Sequence, residues 1–298
     1  MGGCILRHRS WCRNSRAMFE SMGTVGTVWL WLAGLGLGLP ILFGVVFYLM
    51  AALSMRHQEG SRVPLREFDL GDLFLGAGLV AFFVASGLRS MVRGERVPVD
   101  ALEVNAGAGM MTLFLASTLI FRMLRRMPVG VVFSGDGGGG GFGLILMRAA
   151  LWLAAAFPVV WAVHLLSGVL IGGGSGEQGS VTLLRNAIGA RDWPLISAMS
   201  FSTVLVAPVA EEVIFRGIFY PALRRYSSGV VAAIFTSLAF GLSHAPVQVS
   251  PGLAVLSGCL IIAYERSGTL WVPIVMHAVF NGTSMLCLYA DTQGWLTR

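Results

Sequence analysis

The chain has 298 residues, of which 55% are hydrophobic and 12% charged, and its mean hydropathy is +0.75. A soluble domain would leave too much of that apolar surface in water. The net charge of +6 rests on arginine alone, because the sequence has no lysine; the arginines are scattered through short polar stretches, which fits membrane flanks and excludes a nucleic-acid-binding surface.

Uncharged runs occupy 21–55, 73–88, 104–121, 149–176, 226–264 and 267–290. A membrane-spanning helix needs about 20 mostly apolar residues, and these runs are too long and too continuously apolar for barrel strands. The expected fold is therefore all-α: a polytopic transmembrane helical bundle of about eight spans, integral to the cell membrane. The N-terminal tail carries Arg7, Arg9, Arg13 and Arg16 ahead of an apolar run far longer than the roughly 7–15 residues of a signal-peptide core, so an uncleaved first span is expected. That span lies within 24–54, with a kink expected at Pro40. The second falls near 70–90 and the third near 104–124. A glycine-rich linker, Ser134–Gly141, precedes a fourth span near 146–171, and a second glycine-rich loop follows at 172–176. The fifth span lies near 193–220, the sixth near 228–246, a short seventh near 251–265 and the eighth near 268–290.

The two halves read differently. The first three spans are uncharged between their flanks, whereas ionisable residues enter the apolar runs from the fifth span onward. We divide the chain into an accessory part, 1–140, and a functional core, 141–298. Arginines fall on both sides in similar number, so the positive-inside rule chooses no orientation. Cys4, Cys12, Cys259 and Cys287 form no C-x-x-C pair and are expected to be free thiols.

In the fifth span, Glu211, Glu212 and Arg216 lie within six positions. An ionisable side chain at bilayer depth costs about 2.5–3.5 kcal/mol on insertion scales, so such a group marks a functional site by default. Glu212 and Arg216 share a helix face and are expected to pair, while Glu211 points about 100° away. Pro208 removes a backbone hydrogen bond just before them. The sixth span offers Phe240 and His244 at the same spacing, the ring packing on the imidazole, with Gly241 allowing close helix approach. The eighth offers His277 and Asn281, both expected to point into the bundle. Converging, these would supply two carboxylates, a guanidinium, two imidazoles and an amide, the parts needed to activate water and stabilise a tetrahedral intermediate. His164, without a spaced partner, is read as structural.

The segments Glu211-Glu212-Val213-Ile214-Phe215-Arg216, Phe240 to His244 and His277 to Asn281 resemble, in order, the E-E-x-x-x-R, F-x-x-x-H and H-x-x-x-N motifs of the CPBP intramembrane proteases, a family that includes the type II CAAX prenyl proteases and Abi-type proteins. The resemblance covers roughly residues 145–290. It implies an intramembrane endopeptidase acting on a membrane-associated protein or peptide in the bilayer. In that reading Glu211 is the general base, His244 helps hold the water, Glu212 and Arg216 shape and charge-balance the site, and His277 and Asn281 stabilise the oxyanion. The family is often called metalloprotease. Glu211, His244 and His277 supply a zinc donor set with an open position, and a metal-free glutamate mechanism suits the same residues. Competing readings are an immunity or scaffold protein of the same family, and an ion-coupled transporter, whose repeated halves are not seen here.

Overall fold

The computed structural model describes residues 24–53, 62–93, 101–125, 130–133, 141–171, 179–244 and 246–295. The arginine-rich tail, Cys4, Cys12, the glycines at 135–140 and the loop at 172–176 lie outside the described residues. Among the described residues all regular structure is helical. In chain order the helices are α1 (Thr24–Leu53), α2 (Leu70–Arg93), α3 (Ala101–Leu124), α4 (Gly130–Phe133), α5 (Phe142–Ile171), α6 (Gly179–Ala190), α7 (Trp193–Tyr226), α8 (Gly229–Leu242), α9 (Ser250–Ser267) and α10 (Trp271–Thr292). A helix satisfies its own backbone, which is why apolar runs in lipid take this form.

Six of these helices (α1, α2, α3, α5, α7 and α10) are long and apolar enough to cross a membrane. The chain is an integral, multi-pass membrane protein. The eight expected spans match these six together with α8 and α9. Pro40 sits inside an α1 that continues through it. The α6 helix was not expected; at 12 residues it is too short to span, and it packs against the start of α7 and the end of α10. There Arg185 pairs with Asp291 at 2.8 Å.

The α8 helix has 14 residues, about 21 Å of rise, against a hydrocarbon core of about 30 Å. It starts on a Ser228 N-cap, whose hydroxyl accepts from the Val231 N–H, and ends at Leu242, ahead of a turn that leads to α9. Serines satisfy the backbone of that turn. Ser250 Oγ donates to the His244 carbonyl at 3.0 Å, and Ser167 Oγ, from α5, donates to the Gln248 carbonyl at 2.7 Å. Gly241 lies against the Ser250 backbone and Ala254, and Gly87 of α2 lies against the Leu242–Ser243 backbone; a side chain at either would overlap its neighbour. The end of α8 is therefore clamped from both sides.

Charges at the helix ends are paired inside the fold. Asp72 and Arg122, both fully buried, join α2 to α3 at 3.0 Å, and the Arg122 guanidinium lies 4.7 Å from the Phe68 ring centre. Arg224 of α7 pairs with Glu265 of α9, and the Tyr220 hydroxyl donates to the same carboxylate at 2.8 Å.

Removing one partner of a buried pair strands the other charge. Arg122→Ala should therefore lower unfolding stability by about 3–5 kcal/mol. Arg125→Ala, which breaks the exposed pair with Asp69, should change it little. Equilibrium unfolding of the purified protein in mild detergent measures both.

Candidate active site

The site is built on an irregular stretch of α7. Around Ala207–Glu212 the helix widens into two π-helical segments, Ser202–Val206 and Val213–Phe219. Here the Ala207 N–H reaches back five residues to the Ser202 carbonyl, and Tyr220 N–H likewise to Phe215. Each segment ends just before a proline, Pro208 or Pro221. A proline ring collides with the carbonyl four residues back and brings no N–H, and a wider turn relieves the clash. The residue that π-register would pair with Pro208 is Thr203, whose carbonyl then lacks that donor. Asn281 of α10 fills the role: its Nδ2 donates to the Thr203 carbonyl at 3.0 Å.

Glu212 is fully buried and its Oε1 serves two donors, Arg216 Nη1 at 2.8 Å and His277 Nδ1 at 2.9 Å. A carboxylate only accepts, so the proton of His277 sits on Nδ1 and its Nε2 is left to face elsewhere. It faces Glu211: the distance from Nε2 to Oε2 is 3.9 Å. His244 presents the same geometry from α8. Its Nδ1 lies 2.8 Å from the Phe240 carbonyl and 3.0 Å from Ser243 Oγ, and its Nε2 stands 3.9 Å from Glu211 Oε2. Since the Phe240 carbonyl is an acceptor, His244 too carries its proton on Nδ1. Glu211 Oε2 is buried without a hydrogen-bond partner among the described residues. A gap of 3.9 Å is too long for a direct hydrogen bond and within reach of one shared water.

Phe240 sits at the centre. Its ring centre is 4.8 Å from the His244 ring, 5.8 Å from the His277 ring and 4.4 Å below the Arg216 guanidinium. Arg216 is fully buried, held by Glu212 and by that aromatic face. The side of the site at His244 is the open one: its side chain is 27% exposed, against 4% for His277 and 8% for Glu211.

The structure thus gathers Glu211, Glu212, Arg216, His244 and His277, while Asn281 lies one turn further along α10 with its amide on α7. His164 is exposed on α5, where its Cβ faces Gly252 of α9. Sequence reasoning passed over Ser243, Ser250, Ser167 and the Thr203 carbonyl. The adjacency of Ser243 to His244 was a signal for the first, and Pro208 for the last.

The donor set at Glu211, His244 and His277 has the chemistry of a metal site, with both Nδ1 atoms anchored by acceptors. Zinc donors at bond lengths of about 2.0–2.2 Å stand closer together than 3.9 Å. Among the described residues no group of three His, Cys, Asp or Glu side chains is arranged to hold a metal ion. As they stand the residues do not fit the ion, and no step is drawn through it.

Comparison with known proteins gives one family match and one curated relative. Residues 193–283 match the profile of the family described as Type II CAAX prenyl endopeptidase Rce1-like. A protein of Bacillus subtilis (strain 168), "Putative membrane peptidase YdiL", is 29% identical over 86 residues, 29% of this chain and 35% of the relative. The match thus spans about a third of that relative's length. No solved structure matches the chain. All three motifs fall within 193–283, so the resemblance to the CPBP intramembrane proteases holds where the ionisable residues meet.

The tie from Asn281 has a measurable signature. Asn281→Leu leaves the Thr203 carbonyl unpartnered and should cost about 1–3 kcal/mol of unfolding stability. In a Pro208→Ala background, where residue 208 regains an N–H, the same substitution should cost markedly less. A double-mutant cycle by equilibrium unfolding reads the difference.

Proposed function

We propose that the protein is an intramembrane endopeptidase whose general base is Glu211. The premise is its likeness, over 193–283, to the Type II CAAX prenyl endopeptidase Rce1-like family and, over 86 residues, to a protein named as a putative membrane peptidase. The observation that carries the reading is that Glu211 Oε2 stands 3.9 Å from the Nε2 atoms of two histidines, with both other imidazole nitrogens already engaged. Such a trio suits one water molecule, which would donate to Glu211 and to an imidazole while its lone pair stays free to attack.

In this mechanism the water oxygen bonds to the carbonyl carbon of the scissile peptide and Glu211 takes the proton. The carbonyl oxygen becomes an oxyanion. His277, when its Nε2 carries a proton, donates to that oxyanion, and Glu212 against Nδ1 stabilises the charged ring. The C–N bond then breaks, and Glu211 returns its proton to the departing amine. His244, on the open side, orients the water. Arg216 fixes Glu212, so that Glu212 holds His277 and the role of base falls to Glu211. We assign Asn281 to holding α10 in place, because its amide is committed to Thr203.

The substrate class is a membrane-associated protein or peptide with its scissile bond at or below the membrane surface. A prenylated C-terminal tail, as the name of the matched family indicates, is one member of that class.

Glu211→Gln keeps the shape of the side chain and removes the base. The variant should reach the membrane at wild-type level and lose cleavage by about 10²–10⁴-fold. Comparing membrane proteomes of cells carrying wild type or Glu211→Gln should show an uncut protein accumulating with the variant. Unchanged proteomes together with an intact cellular phenotype would overturn the protease reading in favour of a scaffold. Chelator-sensitive cleavage restored by zinc would transfer the role of Glu211 from base to metal ligand.

A further inference from the structure

α8 and α9 enclose a groove of about 350 Å³ with the end of α1, and none of the candidate site residues lines it. Its walls are Val230, Ile234 and Leu238 of α8, Val255 and Ile262 of α9, and Ala52 of α1, and its floor is kept low by small residues such as Gly258. From Val230 to Leu238 it runs about 12 Å along the helix. Val230, Ile234 and Leu238 are exposed, so the groove opens toward the lipid.

One end of this groove is basic. Arg266 lies one turn beyond Ile262 on α9, and its Nη2 donates to the carbonyl of Ala51, the residue before Ala52, at 2.9 Å. Its guanidinium therefore stands at the mouth of the groove. Its other N–H groups make no hydrogen bond among the described residues, and the side chain is part exposed. Arg62, which is exposed, lies against Gly268, two residues beyond Arg266. The nearest carboxylate in sequence, Glu265, is buried and taken by Arg224 and Tyr220.

We propose that this groove is a binding site for an anionic phospholipid of the bilayer, with an acyl chain along α8 and α9 and the phosphate on Arg266. A narrow apolar channel takes a chain of any lipid, and the arginine at its mouth selects for negative charge. The site is separate from the catalytic group and does not depend on the protease reading.

The test uses the full chain, delipidated in mild detergent and titrated with palmitoyl-oleoyl phosphatidylglycerol or the matching phosphatidylcholine, with bound lipid counted by native mass spectrometry. Wild type should retain the anionic lipid about fivefold better, the preference expected of one arginine at a membrane surface. Arg266→Gln should abolish the preference and leave weak binding of both lipids. Gly258→Leu, whose Cβ would make an ordinary contact at 3.6 Å with Ser237 Oγ, should fill the groove and lose both. Ala233→Leu on the other wall should do the same, and serves if Gly258→Leu does not fold. Equal retention of the two lipids by wild type, or a preference that survives Arg266→Gln, would overturn the proposal.

Discussion

The site depends on one oxygen. Glu212 Oε1 accepts from Arg216 on its own helix and from His277 on α10, and these two contacts settle three questions together. They compensate a buried guanidinium, fix which nitrogen of His277 carries the proton, and leave the neighbouring Glu211 as the carboxylate without a cation of its own. Two adjacent acids in an apolar helix would otherwise repel each other, and each would require a separate partner. Here one is compensated by Arg216, and the other is left facing the two imidazoles.

Placing adjacent carboxylates to such different ends asks more of α7 than a regular helix allows. The two prolines provide it. Pro208 and Pro221 cannot close the ladder behind them, and the helix responds by widening on either side of the dyad. The widening leaves a carbonyl for another helix to use, and Asn281 uses it. The spacing of four residues between His277 and Asn281 then has two separate functions on α10: one side chain reads the carboxylates, and the other anchors the helix to the backbone that carries them. Phe240 completes the set by offering its face to Arg216 and its flank to both imidazoles.

Much of this was legible in the sequence, because the rules of lipid are severe. Long uncharged runs located the helices, and α-helical spacing predicted the Glu212–Arg216 pair and the packing of Phe240 on His244. What escaped was either short or shared. The α6 helix, twelve residues between two glycine-rich or polar stretches, has too little hydrophobic run to announce itself. The Asp72–Arg122 pair read as flanking charge, since a residue near a helix end gives no local sign of whether it snorkels or turns inward. The tautomers of the two histidines depend on the Phe240 carbonyl and on a carboxylate 65 residues away, and only the assembled bundle brings these within reach. Pro208 signalled an irregularity in α7, but not which carbonyl it would free or which helix would claim it.

The short α8 explains how water can reach such a place. With 14 residues it falls about 9 Å short of the hydrocarbon thickness, and Arg225 is exposed beside its starting end. Its far end, with Ser243 and His244, then lies below the opposite surface of the membrane. Non-helical backbone at that depth is tolerated only when protein encloses it or water bathes it. Both conditions are met in part: Ser250 and Ser167 satisfy two carbonyls of the turn, Gly87 and Gly241 let neighbouring helices close over its base, and His244 retains a partly open side chain. A full-length span in place of α8 would carry the histidine past Glu211 to the surface or bury it in apolar neighbours. The truncation holds the imidazole level with the carboxylate and leaves one side of it open.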